Sequence, residues 1–130
     1  MAKRNRFGLP IDADGYAPSL FPDTLDTCFY AHDRYTSCGE GELVRHEVFF
    51  NRKDHGLQEL SKNYGAWLYL CPVHYGHIRN YPQMHRALEK ETQQRMMDRY
   101  GWSLGDFMRV FGKDYQAKNE DAAPEEEDEL

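Results

Sequence analysis

Leu43-Val44-Arg45-His46-Glu47-Val48-Phe49-Phe50 and Trp67-Leu68-Tyr69-Leu70-Cys71-Pro72-Val73-His74-Tyr75-Gly76-His77 bound the stretch that decides the fold. In the first, Val44, His46, Val48 and Phe50 alternate with Arg45, Glu47 and Phe49. That is the period of two of a strand, and it sends His46 and Glu47 to opposite faces. Residues 66–71 read as a second strand. It runs straight into Cys71-x-x-His74, a spacing that lets one tight turn present two ligands to one ion.

The remaining ligands lie upstream. Residues 28–42 read as a loop holding Cys28, His32 and Cys38, with Gly39 and Gly41 letting the backbone wrap tightly afterwards. Zinc takes about four soft or borderline ligands in a tetrahedron. Cys28, Cys38, Cys71 and His74 are the expected set, with His32 competing for the place of Cys38 because Cys28-x-x-x-His32 is also workable. The competing view makes the cysteines small buried hydrophobes.

His46, Glu47, His77 and His85 are left over. A nuclease metal centre holds a hard cation with few protein groups, leaves positions open for phosphate and water, and places a base beside the water. A His or Glu at a strand end and a His on the following helix supply those parts. Taken singly, Glu47 reads equally well as an exposed salt-bridging residue, His46 as a hydrogen-bonded core histidine, and His85 as a solvent-facing helix position.

Around this unit the chain divides in three. Residues 1–27, with Pro10, Pro18 and Pro22, read as an extended arm with turns. Residues 28–115 hold the zinc-binding domain. After a polar turn over 51–56 they predict helices over 57–63, 72–80 (Pro72 in the first turn), 83–100 and 104–111. The apolar set of the third is Met84, Ala87, Leu88, Met96, Met97 and Tyr100, interrupted near Thr92. The last begins at Ser103-x-x-Asp106, presents Leu104, Phe107, Met108 and Phe111, and stops at Gly112. Residues 116–130 read as an acidic disordered tail.

The chain has 130 residues and a formal charge of -6, with 16 Lys+Arg against 22 Asp+Glu. The tail accounts for all of that charge, so the body is balanced and neither demands nor forbids nucleic acid. No apolar run approaches the roughly 20 residues of a membrane helix, and no apolar signal segment follows the charged start. The expectation is therefore a cytoplasmic protein with no membrane association. In that compartment cysteines serve as thiols or ligands rather than disulfides.

Cys28-Phe29-Tyr30, Arg45-His46-Glu47-Val48-Phe49-Phe50, Ser61-Lys62-Asn63-Tyr64-Gly65, Tyr69-Leu70-Cys71-Pro72-Val73-His74, Met84-His85 and Phe111-Gly112-Lys113-Asp114-Tyr115 follow one another in an order and spacing that carry a resemblance. From about Cys28 to Tyr115 the chain resembles the small phage- and prophage-encoded proteins of the HNH superfamily, of the type related to a phage recombination-enhancement nuclease. The resemblance implies an α+β fold: a zinc-bearing ββα-metal, treble-clef-like core, here with two additional C-terminal helices. It also implies a structural zinc and cleavage of DNA that depends on Mg²⁺ or Mn²⁺, in the cytoplasm of a bacterial host. In that reading His46 is general base or metal ligand, Glu47 its partner, and His77 and His85 complete the site. Arg45, Arg52 and Lys53 hold phosphates. The chain departs from its relatives at Ala31, where they usually have a second cysteine. It departs again at Tyr75, where many have a histidine and His77 is the nearest replacement, and at Ala66, where an asparagine is common. The alternative is a catalytically inactive HNH-derived zinc domain that binds nucleic acid or a protein partner.

Overall fold

Val44–Glu47 (β1) pairs antiparallel with Trp67–Leu70 (β2), setting Val44 opposite Leu70, Arg45 opposite Tyr69, His46 opposite Leu68 and Glu47 opposite Trp67. A computed structural model of the chain describes residues 3–31, 38–50 and 56–117. Among these the architecture is α+β: one two-stranded antiparallel sheet and four helices, Gly56–Tyr64 (α1), Pro72–Asn80 (α2), Pro82–Tyr100 (α3) and Leu104–Phe111 (α4). A three-residue 3-10 turn, Pro22–Thr24, lies in the arm. His32, Arg52, Lys53 and all but the first two residues of the acidic tail lie outside the described residues.

Both strands are shorter than the alternation predicts, because side chains take over from the ladder. The N–H of Val48 still donates to the Ala66 carbonyl at 2.9 Å. One residue on, the Ser61 hydroxyl of α1 donates to the Phe49 carbonyl at 2.7 Å and accepts from the Phe49 N–H at 3.0 Å. Both backbone groups of Phe49 are satisfied without a strand partner, as buried backbone must be.

The helix boundaries follow from local chemistry. Cys71 caps α2 and Pro72 occupies its first turn. Tyr81, extended as a residue before proline prefers, breaks the chain between α2 and α3. Ser103 and Asp106 exchange side-chain-to-backbone bonds of 3.0 and 3.1 Å, so the aspartate completes the capping box that starts α4.

The sheet separates two environments. On one face His46 and Val48 of the β1 segment join Leu68, Leu70, Ile78, Leu88 and Met96 in the buried core. Phe49 packs against Phe107, Phe111 and Tyr115 at 5.8, 4.9 and 4.6 Å between ring centroids, which gives the Phe111–Tyr115 segment its role. The arm covers the other face. Trp67 Nε1 donates to the Ala17 carbonyl at 2.7 Å, and Ser19 Oγ donates to the Trp67 carbonyl at 2.6 Å. Ala17, Leu20 and Phe21 are buried, so the arm, read as an extension, is packed into the body.

Two helix faces differ from the apolar pattern. On α3 the buried residues are His85, Leu88, Thr92, Gln93 and Met96, while Ala87 is exposed. Thr92 Oγ1 donates to the Leu88 carbonyl at 2.7 Å. Gln93 donates to Asp114 at 2.8 Å and accepts from the Tyr115 N–H at 2.7 Å, so both polar side chains enter the interior satisfied. On α4 Phe107 and Phe111 turn inward, while Leu104 and Met108 remain exposed. No described helix is long and apolar enough to cross a membrane.

Gly65 fixes the approach of the arm. Its φ is +81°, and a Cβ there would run into the backbone carbonyl of Pro18. Gly65→Ala should lower stability by more than about 2 kcal/mol, the left-handed penalty and the displaced arm adding. Gly101→Ala meets open space and should cost only about 1 kcal/mol. Urea titration of the two variants checks the order.

Candidate metal centre

Four ligand groups meet at one end of the sheet. Cys71 is the N-cap of α2, and its Sγ accepts from the His74 N–H at 3.4 Å, which folds the knuckle so that thiol and imidazole share a side. Cys28 is brought alongside because the next residue, Phe29, donates its N–H to the Tyr69 carbonyl of β2 at 2.8 Å. Cys38 arrives on the loop entering β1. Gly39 follows it where a side chain would meet Val73 of the knuckle.

The donor atoms of Cys28, Cys38, Cys71 and His74 all lie within 4.8 Å of one another. His74 Nδ1 stands 3.6 Å from the sulfurs of Cys28 and Cys38, and 3.3 Å from that of Cys71. A tetrahedron with Zn–S near 2.3 Å and Zn–N near 2.0–2.1 Å has S···N edges of about 3.6 Å. The set fits a closed Cys₃His zinc site in both geometry and chemistry, and it takes Cys38 as the fourth ligand. Burial pushes the Cys71 thiol up, but the N–H groups of His74 and Gly39 outweigh it and hold it down at about 6. Cys38 is exposed as a residue, yet desolvation of its inward sulfur, then its contacts with the Cys28 and Cys71 sulfurs, push it up to about 12. A cation among the sulfurs would favour their thiolate forms.

The other expected site residues are dispersed. His46 is 6% exposed on the inner face of β1, with its ring 6.2 Å from that of His85, 6.0 Å from Tyr75 and 6.0 Å from Phe50. Its Nε2 is buried without a hydrogen-bond partner. His85, expected as solvent-facing when taken singly, is buried, and its Nε2 donates to the Val48 carbonyl at 3.2 Å. Glu47 faces the other way and accepts from Gln58 at 2.8 Å. His77 packs on His74 and Tyr81, at 5.6 and 5.3 Å, beside the ligand cluster. The sheet thus brings His46 and His85 together and leaves Glu47 and His77 elsewhere. Among the described residues Cys₃His is the only metal-sized group. A second, hard cation at His46 finds two imidazoles and no third ligand there, so the described residues do not fit it.

Arg45 does not reach outward for phosphate. Its guanidinium lies 4.0 Å over the Tyr16 ring and 4.5 Å from that of Trp67, donates to Tyr69 Oη at 3.0 Å, and pairs with Asp12 at 3.4 Å. It clamps the arm to the sheet. Nothing near Arg45 in the sequence shows this, because Tyr16 and Asp12 come from the distant arm.

Both inner imidazoles are held neutral. Burial, with the charges of His85 and Arg79 adding, pushes His46 down to about 3. Burial pushes His85 down to about 4, against the pull of its bond to Val48 and with help from Arg86 and Lys113.

Two predictions follow from this geometry. The purified protein should carry about one zinc per chain, and Cys71→Ser and Cys38→Ala should lose it while His32→Ala keeps it, as read by metal analysis. The neutral histidines set a pH dependence. The unfolded chain protonates near pH 6.5 and the folded one only near 3–4, so stability is complete above pH 6.5 and falls as the pH drops below it. Each histidine should remove about 2 kcal/mol by pH 5. In His46→Phe the slope between pH 6.5 and 5 should become shallower, with zinc content at neutral pH unchanged.

Comparison with known proteins finds no matching family model, no matching curated protein and no matching solved structure.

Proposed function

We propose that this chain is an HNH-type DNA endonuclease, related to those of phages and prophages, built on a zinc-held ββα core of β1, β2 and α2 with α3 and α4 added. The observation that carries this reading is the His46–His85 pair, with the unpartnered Nε2 of His46 beside it. A phosphodiesterase requires a group that takes a proton from the attacking water. His46 is uncharged and has a nitrogen to spare. Its low affinity for protons in the free protein is no obstacle, because a bound phosphodiester brings negative charge that raises both imidazoles towards the range of proton exchange. His46 then accepts the water proton as the water oxygen attacks phosphorus and the P–O bond to the sugar breaks, the leaving oxygen taking a proton from solvent. His85, its one N–H given to the Val48 carbonyl, packs beside His46 and holds that ring in place.

One observation favours the second reading, an inactive zinc scaffold that binds nucleic acid or a protein. Of the described residues only two imidazoles gather at His46, whereas HNH chemistry uses Mg²⁺ or Mn²⁺. The same observation gives the decisive variant. Tyr75 has its ring 6.0 Å from His46, so Tyr75→His adds a third imidazole where the relatives carry one.

In a plasmid-nicking assay with Mg²⁺ or Mn²⁺, wild type should nick. His46→Ala should be at least about 100-fold slower with full zinc content, and Tyr75→His should be faster. If neither wild type nor Tyr75→His nicks any DNA form with Mg²⁺, Mn²⁺ or Ni²⁺, the scaffold reading takes its place.

A further inference from the structure

We infer that Cys38 and Cys71 are a peroxide-responsive pair: a hydroperoxide joins their sulfurs in a disulfide, and the zinc site opens. The inference goes beyond the nuclease reading and does not depend on it. It rests on the Cys₃His site alone.

The thiols of the cluster are not equivalent. Cys28 and Cys71 are 4% and 2% exposed, whereas Cys38 is an exposed residue on the loop entering β1. A small oxidant arriving from solvent therefore meets Cys38 first. All three are free, and their sulfurs lie within 4.8 Å of one another. A cysteine oxidised in isolation goes on to sulfinic and sulfonic acids, whereas one beside a second sulfur stops at a disulfide that a thiol can reverse.

Two sulfurs stand near Cys38, and the backbone chooses between them. The N–H of Gly39, the residue after Cys38, donates to the Cys71 sulfur, as does that of His74. That bond sets the Cys71 sulfur against the main chain next to Cys38, so the two side chains need only turn towards each other. Cys28 is anchored elsewhere. Its carbonyl accepts from the Ala31 N–H at 2.9 Å, and the Phe29 N–H beside it is bound to the Tyr69 carbonyl of β2 at 2.8 Å. The Phe29 ring is wedged against those of Phe21 and Tyr30, at 5.1 and 4.9 Å.

The chemistry balances with a hydroperoxide as the oxidant. The Cys38 sulfur attacks one peroxide oxygen, the O–O bond breaks, and the other oxygen leaves as water or an alcohol after taking a proton from solvent. Cys38 is then a sulfenic acid. The Cys71 sulfur attacks the Cys38 sulfur, the S–O bond breaks, and the hydroxyl leaves as water with a second proton. The two sulfurs supply the two electrons that the peroxide gains. Cys28 and His74 remain as a pair of donors where zinc takes four. Since Cys71 also caps α2, its new bond loosens the knuckle that starts that helix.

The test treats the zinc-loaded full chain with hydrogen peroxide. Released zinc is read with a chromogenic chelator, and the cysteines are mapped by alkylation and peptide mass. About one zinc per chain should be released as the Cys38 and Cys71 thiols are lost together, with a Cys38–Cys71 cross-link and Cys28 still open to alkylation. Dithiothreitol with added zinc should restore the starting state. Cys38→His keeps the number of ligands without the outer thiol, and should release zinc at least about tenfold more slowly. If that variant holds no zinc, the wild-type map decides by itself. Zinc retained under peroxide, a cross-link through Cys28, or zinc lost with Cys38 as a sulfinic or sulfonic acid and no cross-link overturns the inference. A wild-type chain that binds no zinc removes the metal reading and this inference with it.

Discussion

The meeting of Cys28, Cys38, Cys71 and His74 at one point is the constraint on which the remaining geometry depends. A two-stranded sheet of four residues per strand is marginal in water and needs to be held from outside. Here it is held at one end by the ligand cluster, which ties the loop before β1 to the turn after β2. Along its length it is held by the arm on one face and by α2, backed by α3, on the other. Without the cluster the register that sets His46 opposite Leu68 has only those side-chain contacts to define it. A one-residue slip would carry His46 to the face now occupied by Arg45 and Glu47.

The helix that begins at the cluster links it to the histidines. Cys71 and His74 fix the first turn of α2, the next residue is Tyr75 beside His46, and one turn later comes Arg79. The ligand cluster and the histidine pair thus meet two sides of one short helix. A displacement of the knuckle by an ångström is a displacement of Tyr75 against His46 by a similar amount, because packed helices transmit shifts rather than absorb them.

Much of this was legible in the sequence. Alternation over 43–50 and 66–71 located both strands, and the Cys-x-x-His spacing located the knuckle, because each is a local pattern with a local cause. The choice between Cys38 and His32 was not legible, since it depends on how a loop closes. The faces were harder still. Period two separates His46 from Glu47 without saying which side is covered. Arg45 read as a phosphate contact because its aromatic clamp comes from the distant arm. Thr92 and Gln93 read as a break in the apolar stripe of α3 because their partners, the Leu88 carbonyl and the Asp114–Tyr115 turn, appear only once the chain is folded.

The order of the four ligands along the chain has a kinetic consequence. Cys71 and His74 are joined by a single turn, so they present two donors to an ion as soon as that turn forms. Cys28 and Cys38 reach the same point only by closing long loops, whose entropic cost must be met before the bond rewards it. An ion bound at this site would therefore be captured first by the later pair and would then draw in the earlier one. During synthesis the first half of the domain, arm and β1 included, emerges before the residues that give it a place to dock. With such an ion, folding would proceed against the direction in which the chain is made.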